Sequence, residues 1–100
     1  MADGAVTVRR ADLSADRTAC YAIRAAVFAQ EQGVHGAEKG DRDDPTAIHA
    51  LGLVDGVPAG TGRLHIVRTR SGSEGQIAWV SVLPRFRRMG VATAIMAHLM

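Results

Sequence analysis

The segment from Gln76 to Leu99 constrains the fold most, because it contains a strand, a basic loop and a helix in one short stretch. Its apolar residues first alternate, which predicts a strand over residues 76–83, and Pro84 ends that strand. A loop over residues 85–90 follows, with three arginines before its closing glycine. Apolar residues then recur at the i, i+4 and i+8 spacing of one helix face: Val91, Ile95 and Leu99.

The junction between this loop and the helix has the features of an anion-binding site. The first turn of a helix presents unpaired N–H groups and partial positive charge. Gly90 and Ala92 are small, so an anion can approach the backbone closely, and Arg87 and Arg88 can add charge-assisted hydrogen bonds. The sequence has no Walker loop, and no GxGxxG follows its first strand. We therefore expect a phosphorylated ligand held mainly by the main chain.

The N-terminal part predicts a strand, a helix and a long loop. Residues 5–10 alternate as a short strand, and Asp12 or Ser14 can cap a helix that runs to about Gln30. An acidic, glycine-containing loop over residues 31–46 follows. The apolar stripe of the predicted helix consists of Leu13, Cys20, Ile23 and Val27, with Phe28 beside it.

A hairpin is predicted in the centre of the chain. Residues 47–54 read as a strand, and Asp55-Gly56 is a strong two-residue turn signal. The returning strand spans residues 57–67, where Gly60 and Gly62 indicate a bulge or a close backbone approach. A turn over residues 71–75 then leads to the strand of residues 76–83.

The residues that enter the last helix resemble the pyrophosphate-binding signature of the GCN5-related N-acetyltransferase (GNAT) family. That signature, Gln/Arg-x-x-Gly-x-Gly/Ala, stands here as Arg87-Arg88-Met89-Gly90-Val91-Ala92. It follows a strand that contains Val-x-Val, present as Val80-Ser81-Val82, and a proline two residues on. The similarity continues upstream in four stretches: Arg24–Phe28, Glu31–Val34, Asp41–Asp44 and Gly60–Leu64.

This resemblance implies a fold, a donor and a set of binding residues. The implied fold is a mixed α+β domain over residues 1–100, with a mostly antiparallel sheet flanked by helices in the order β-α-β-β-β-α. The implied co-substrate is acetyl-CoA, with an acetyl group passing to a primary amine of a small molecule or peptide by direct attack. The family's C-terminal strand and helix are not represented, so we expect a partial domain. The implied acetyl-CoA-binding residues are Val80, Ser81, Val82, Arg87, Arg88, Met89, Gly90, Val91, Ala92 and Thr93.

Two positions depart from the family pattern. Trp79 stands where the family often has arginine or a small residue. It could face the core or the acceptor groove, and the core is the more usual place for a tryptophan. The family commonly supplies a tyrosine after the last helix to protonate the leaving thiolate. The one tyrosine here, Tyr21, lies on the first predicted helix and does not match that position.

The sequence gives only weak signals for catalytic residues. Glu31 could serve as the base that takes a proton from the amine, and His49 could act through a water molecule. A solvated glutamate and a structural histidine are the competing interpretations. Arg24 and Arg63 could anchor an acceptor carboxylate or pair with the acidic loop. The four histidines have no metal-ligand spacing, so we expect no metal.

Amino-acid composition argues against membrane, secreted and nucleic-acid-binding proteins. Hydrophobic residues make up 47% and charged residues 22%, and no apolar run approaches the ~20 residues of a membrane span. The N-terminus has no signal-peptide pattern, and the single cysteine predicts a buried thiol in a reducing, cytoplasmic compartment. Arginine clusters could steer an anionic ligand or be a solvated surface. With 4% aromatic residues and no stacking platform, nucleic-acid binding is not expected.

Two other functions fit the same pattern. An acyl-homoserine-lactone-synthase-like acyltransferase shares the fold implied here, although that family generally lacks the Arg-x-x-Gly-x-Ala loop. A non-catalytic module is the second, because a partial sheet would expose the strand of residues 76–83 as an edge. Such an edge could pair with a second polypeptide or form a homodimer.

Overall fold

The computed structural model describes residues 4–29 and 44–100. The helices and strands in chain order are β1 (Val6–Arg10), α1 (Ser14–Arg24), β2 (Ile48–Val54), β3 (Val57–Thr69), β4 (Gly72–Val82) and α2 (Val91–Leu99). A π-helical turn at Ala25–Ala29 continues α1, and short 3₁₀ turns occupy Asp44–Thr46 and Pro84–Phe86. The predicted order β-α-β-β-β-α and the mixed α+β class are confirmed.

The four strands form one antiparallel sheet in the order β1-β2-β3-β4. The β2–β3 hairpin turns at Asp55 and Gly56, which both have positive φ (50° and 80°), as a type I′ turn requires. β1 and β4 are the two edge strands of the described sheet, and the pairing of β4 with another chain stays a prediction.

Hydrophobic residues cover both faces of the sheet. On one face α1 packs against β2, with Cys20, Ile23, Val27 and the β2 residues Leu51 and Leu53 buried. On the other face α2 packs over β2 and β3, where the buried residues are Ala50, Val54, Ala59, Val91, Ile95 and Leu99. The apolar spacings predicted for both helices are thereby confirmed from Cys20 onward.

Two glycines let α2 sit close to the sheet. A Cβ on Gly60 would lie 2.8 Å from Val91 Cγ1 and 2.9 Å from the Ser81 carbonyl oxygen. A Cβ on Gly62 would lie 2.9 Å from Ile95 Cγ2. The sequence prediction of a close approach is confirmed, and a bulge also lies beside Gly60, where the β2–β3 register shifts between Gly52 and Leu53. The close seating fixes where the N-terminus of α2 lies relative to the end of β4.

The predicted start of the first helix is wrong. The N-cap is Leu13, which makes no side-chain cap hydrogen bond and is 69% exposed, so it does not belong to the apolar stripe. Asp12 does not cap because its carboxylate pairs with Arg10 at 2.8 Å. Ser14 is already the first helical residue.

The last strand is longer than the sequence indicated. β4 begins at Gly72 rather than at residue 76 and ends at Val82, and Arg70 and Ser71 form the turn. Its first residues are polar and exposed, so no apolar alternation marks them. Their strand conformation comes from antiparallel pairing with the end of β3, from Thr69↔Gly72 onward.

Cys20 is fully buried, as predicted. Its Sγ lies 3.7 Å from the Ala50 carbonyl oxygen, and burial raises the pKa of the thiol. Because the neutral thiol is favoured, a nucleophilic role is not supported.

Candidate functional site

A cavity of about 220 Å³ lies between the end of β4 and the N-terminus of α2. Seven of the ten predicted acetyl-CoA-binding residues line it: Val82, Arg87, Arg88, Gly90, Val91, Ala92 and Thr93. The strand–loop–helix segment predicted from the sequence therefore folds into one concave surface. Phe86 also lines the cavity, and sequence reasoning missed it although it is the one aromatic residue within the arginine loop.

Gly90 is the N-cap of α2 and adopts a left-handed conformation, with φ 83° and ψ 14°. A Cβ built on it meets no atom within 4 Å, so the backbone here faces open space. In the part of the chain that the structure describes, no side chain caps this helix. The first intrahelical bond runs from the Ala94 N–H to the Gly90 carbonyl oxygen at 3.0 Å. The preceding N–H groups of the first turn are the ones that a helix leaves for an external acceptor.

Arg87 ties the basic loop to β4. Its Nε donates a hydrogen bond to the Val82 carbonyl oxygen at 3.1 Å. Arg88 is exposed and has φ 63°, an uncommon conformation for a residue other than glycine. Arg85 lies with its guanidinium carbon 4.6 Å from the centre of the Phe86 ring. The loop is thus shaped by contacts of its own arginines as well as by Pro84.

Three of the predicted binding residues do not line the cavity. Ser81 is buried, and its Oγ donates a hydrogen bond to the Trp79 carbonyl oxygen at 3.0 Å. The Met89 side chain extends toward Gly4, and its Cε would clash with a Cβ placed on Gly4. Val80 packs near Gly62 on the α2 side of the sheet.

The end of β4 presents main-chain groups away from β3. The Leu83 N–H donates to the Ala59 carbonyl oxygen at 2.9 Å, and Ser81 pairs with Thr61 in the same register. Because an antiparallel strand alternates the direction of its N–H and C=O groups, those of Val82 point away from β3. The bond from Arg87 to the Val82 carbonyl agrees with this direction. The Val82 N–H therefore faces the side on which the cavity opens.

A bulge in β4 lies just before this point. Thr61 pairs with Ser81 while Arg63 pairs with Ala78, so Trp79 and Val80 together oppose the single residue Gly62. Trp79 has φ 56°, which is a strained conformation for a bulky residue. Its ring is partly buried rather than in the core, with the Arg24 guanidinium carbon 4.4 Å from the ring centre and Phe28 edge-on at 4.8 Å.

Of the two candidate catalytic residues, His49 lies within the described ranges. His49 is 1% exposed on β2, with its ring 6.0 Å from that of Tyr21 in an edge-on arrangement, and it does not line the cavity. Glu31 lies outside the described residues. Arg24 and Arg63 are both buried, and the Arg24 guanidinium also lies 5.1 Å from the Tyr21 ring centre. A metal site is not found among residues 4–29 and 44–100.

A comparison with models of protein families assigns the chain to a family. The model of the acetyltransferase (GNAT) family matches residues 11–100. The chain belongs to the GNAT acetyltransferase family. The search of curated proteins finds no match. In the described ranges, no helix is long and apolar enough to cross a membrane.

Solved structures agree on the GNAT fold. A GNAT acetyltransferase from Brucella melitensis, in complex with acetyl-CoA, has a TM-score of 0.73 and 16% identity, covering 95% of this chain and 66% of that one. ElaA from Escherichia coli has a TM-score of 0.71 and 24% identity, covering 94% and 66%. Glucosamine-6-phosphate N-acetyltransferase from Arabidopsis thaliana has a TM-score of 0.66 and 22% identity, covering 96% and 72%. This GNAT chain thus spans about two thirds of the length of these structures.

Proposed function

We propose that this chain forms the acetyl-CoA-binding part of an N-acetyltransferase that acts on a primary amine. The observation that carries the proposal is the cavity between β4 and α2, where the glycine of the family signature leaves the main chain open. Membership of the GNAT family supports acetyl-CoA as the donor. Two structures of similar fold, from Brucella melitensis and Clostridium acetobutylicum, contain acetyl-CoA and support the same donor. Residues 1–100 would then be part of a single domain of this kind.

The donor is expected to lie along the cavity with its diphosphate at the first turn of α2. Peptide N–H groups from Gly90 onward would donate to the phosphate oxygens, and the helix dipole would favour their charge. Arg88, exposed at the rim, would add a charge-assisted bond. The pantetheine arm would then follow the end of β4, where the Val82 backbone faces outward.

The reaction needs one bond to form and one to break. The amine nitrogen attacks the thioester carbonyl carbon, the C–N bond forms, and the C–S bond breaks with its electron pair passing to sulfur. The negative charge on the carbonyl oxygen in between would be stabilised by the Val82 N–H. A base must take the proton from the amine, and Glu31 and His49 stay candidates for that step. The burial of His49 gives it no direct path to a substrate in the cavity.

Isothermal titration of the chain with acetyl-CoA tests the proposal. We expect saturable one-site binding with Kd below about 100 μM, which corresponds to more than about 5 kcal/mol. Affinity should fall as salt rises, because the grip on a diphosphate is partly electrostatic. A folded chain that shows no binding at about 1 mM acetyl-CoA would overturn the proposal. Binding to an acyl carrier protein in place of acetyl-CoA would instead favour the synthase-like alternative.

A further inference from the structure

Two irregular backbone segments meet at the bulge of β4. One is the π-helical turn at Ala25–Ala29, which follows directly on Arg24 and carries Phe28. The other is the bulge itself, where Trp79 has φ 56°. π-turns and strained residues both concentrate at functional sites, and here they belong to elements far apart in sequence.

Side chains join the two segments. The Arg24 guanidinium carbon lies 4.4 Å from the centre of the Trp79 ring, and Phe28 meets the same ring edge-on at 4.8 Å with an interplanar angle of 80°. Arg24 is only 1% exposed, so its attraction to the ring is little screened by water. We refer to Arg24, Phe28 and Trp79 as the clasp.

The clasp offsets the strain of the bulge. A left-handed conformation is unfavourable for a residue with a side chain, because its Cβ comes close to the following carbonyl oxygen. A desolvated cation–π contact and an aromatic edge contact are both favourable and oppose that cost. The ring contacts Arg24 and Phe28 while Trp79 keeps its positive φ, so the contacts and the bulged backbone conformation stabilise each other.

The bulge in turn sets the direction of the main chain at the end of β4. One extra residue shifts the phase of the strand, so that Ser81 and Leu83 bond to β3 while Val82 points outward. We propose that Trp79, held by Arg24 and Phe28, is a positioning residue that aims the Val82 N–H at the thioester of the donor. This inference rests on the proposed function and extends it to a residue that lies outside the cavity.

Two substitutions of Trp79 separate positioning from mere stability. Trp79→Val removes the ring and disfavours positive φ, whereas Trp79→Gly removes the ring and accepts positive φ without strain. Each variant is titrated with acetyl-CoA and with adenosine 3′,5′-bisphosphate, which lacks the thioester arm. Circular dichroism checks that each variant is folded.

We expect Trp79→Val to weaken acetyl-CoA binding about threefold to tenfold, the effect of one misdirected hydrogen bond. Bisphosphate affinity should change less than about twofold, and Trp79→Gly should lose less acetyl-CoA affinity than Trp79→Val. The proposal would be overturned if Trp79→Val lost the same factor of affinity for both ligands, so that the ratio of the two affinities stayed unchanged. It would also be overturned if Trp79→Val and Trp79→Gly lost equal affinity for acetyl-CoA. If Trp79→Val does not fold, Phe28→Leu is tested in its place. We expect Phe28→Leu to lower the ratio of acetyl-CoA affinity to bisphosphate affinity, and an unchanged ratio would contradict the proposal. Absence of acetyl-CoA binding in the unmodified chain would instead refute the proposed function.

Discussion

Replacing Gly90 with alanine is expected to weaken acetyl-CoA binding about tenfold to a hundredfold. The added methyl group would stand on the open side of the backbone, where no protein atom lies within 4 Å and where the diphosphate is expected. Loss of one hydrogen bond to a charged group costs about 1.5 to 3 kcal/mol, which sets this range. Isothermal titration of Gly90→Ala against the unmodified chain measures the effect.

Gly56→Ala is the matched control for this substitution. Gly56 has φ 80°, close to the 83° of Gly90, and a Cβ there also meets no atom within 4 Å. It does not line the cavity. Both variants should lose about 1 kcal/mol of stability from the positive φ, but only Gly90→Ala should lose affinity. Equal affinity of the two variants for acetyl-CoA would show that the open backbone at Gly90 has no part in binding.

Replacing Ile95 with alanine is expected to lower the free energy of unfolding by about 2 to 5 kcal/mol. Ile95 is fully buried, and its side chain approaches the backbone at Gly52, Gly60 and Gly62. Truncation would leave a cavity that the glycines cannot fill, because they have no side chains to move into it. For a domain of this size such a loss is a large part of the total stability, and urea denaturation followed by circular dichroism measures it.

Met96→Ala provides the comparison for the core substitution. Met96 is the next residue on α2 and is 43% exposed. Its truncation should change the free energy of unfolding by less than about 0.5 kcal/mol, since alanine favours helix and little burial is lost. Similar losses in the two variants would mean that α2 does not pack on the glycine surface of the sheet as described.

The features that the sequence predicted correctly depend on local patterns. Asp55-Gly56 specifies a turn by its own backbone preferences, and the strand–loop–helix segment around Pro84 and Gly90 is marked by breakers and spacing. The spacing of Val91, Ile95 and Leu99 identifies the buried face of α2 without knowledge of its partner. For these reasons the order of the helices and strands and most of the residues that line the cavity could be predicted.

The features that could not be predicted arise from contacts between distant segments. The ring of Trp79 meets Arg24 and Phe28 only after α1 packs on the sheet, so neither the bulge nor the cation–π contact has a signal in the local sequence. The polar start of β4 is a strand because β3 pairs with it. Leu13 looked apolar and therefore buried, but it stands at the N-cap, where the helix has not yet reached the sheet.

Main-chain N–H groups at the start of α2 are proposed to hold the diphosphate of acetyl-CoA. A titration of the ¹⁵N-labelled chain with acetyl-CoA, followed by amide chemical shifts, reports on these groups one by one. We expect the largest saturable shifts at Gly90, Val91, Ala92 and Thr93. Adenosine 3′,5′-bisphosphate, which lacks the diphosphate bridge, should produce smaller shifts at these amides. Saturable acetyl-CoA binding that leaves these four amides unshifted would show that the diphosphate is not held at the start of α2.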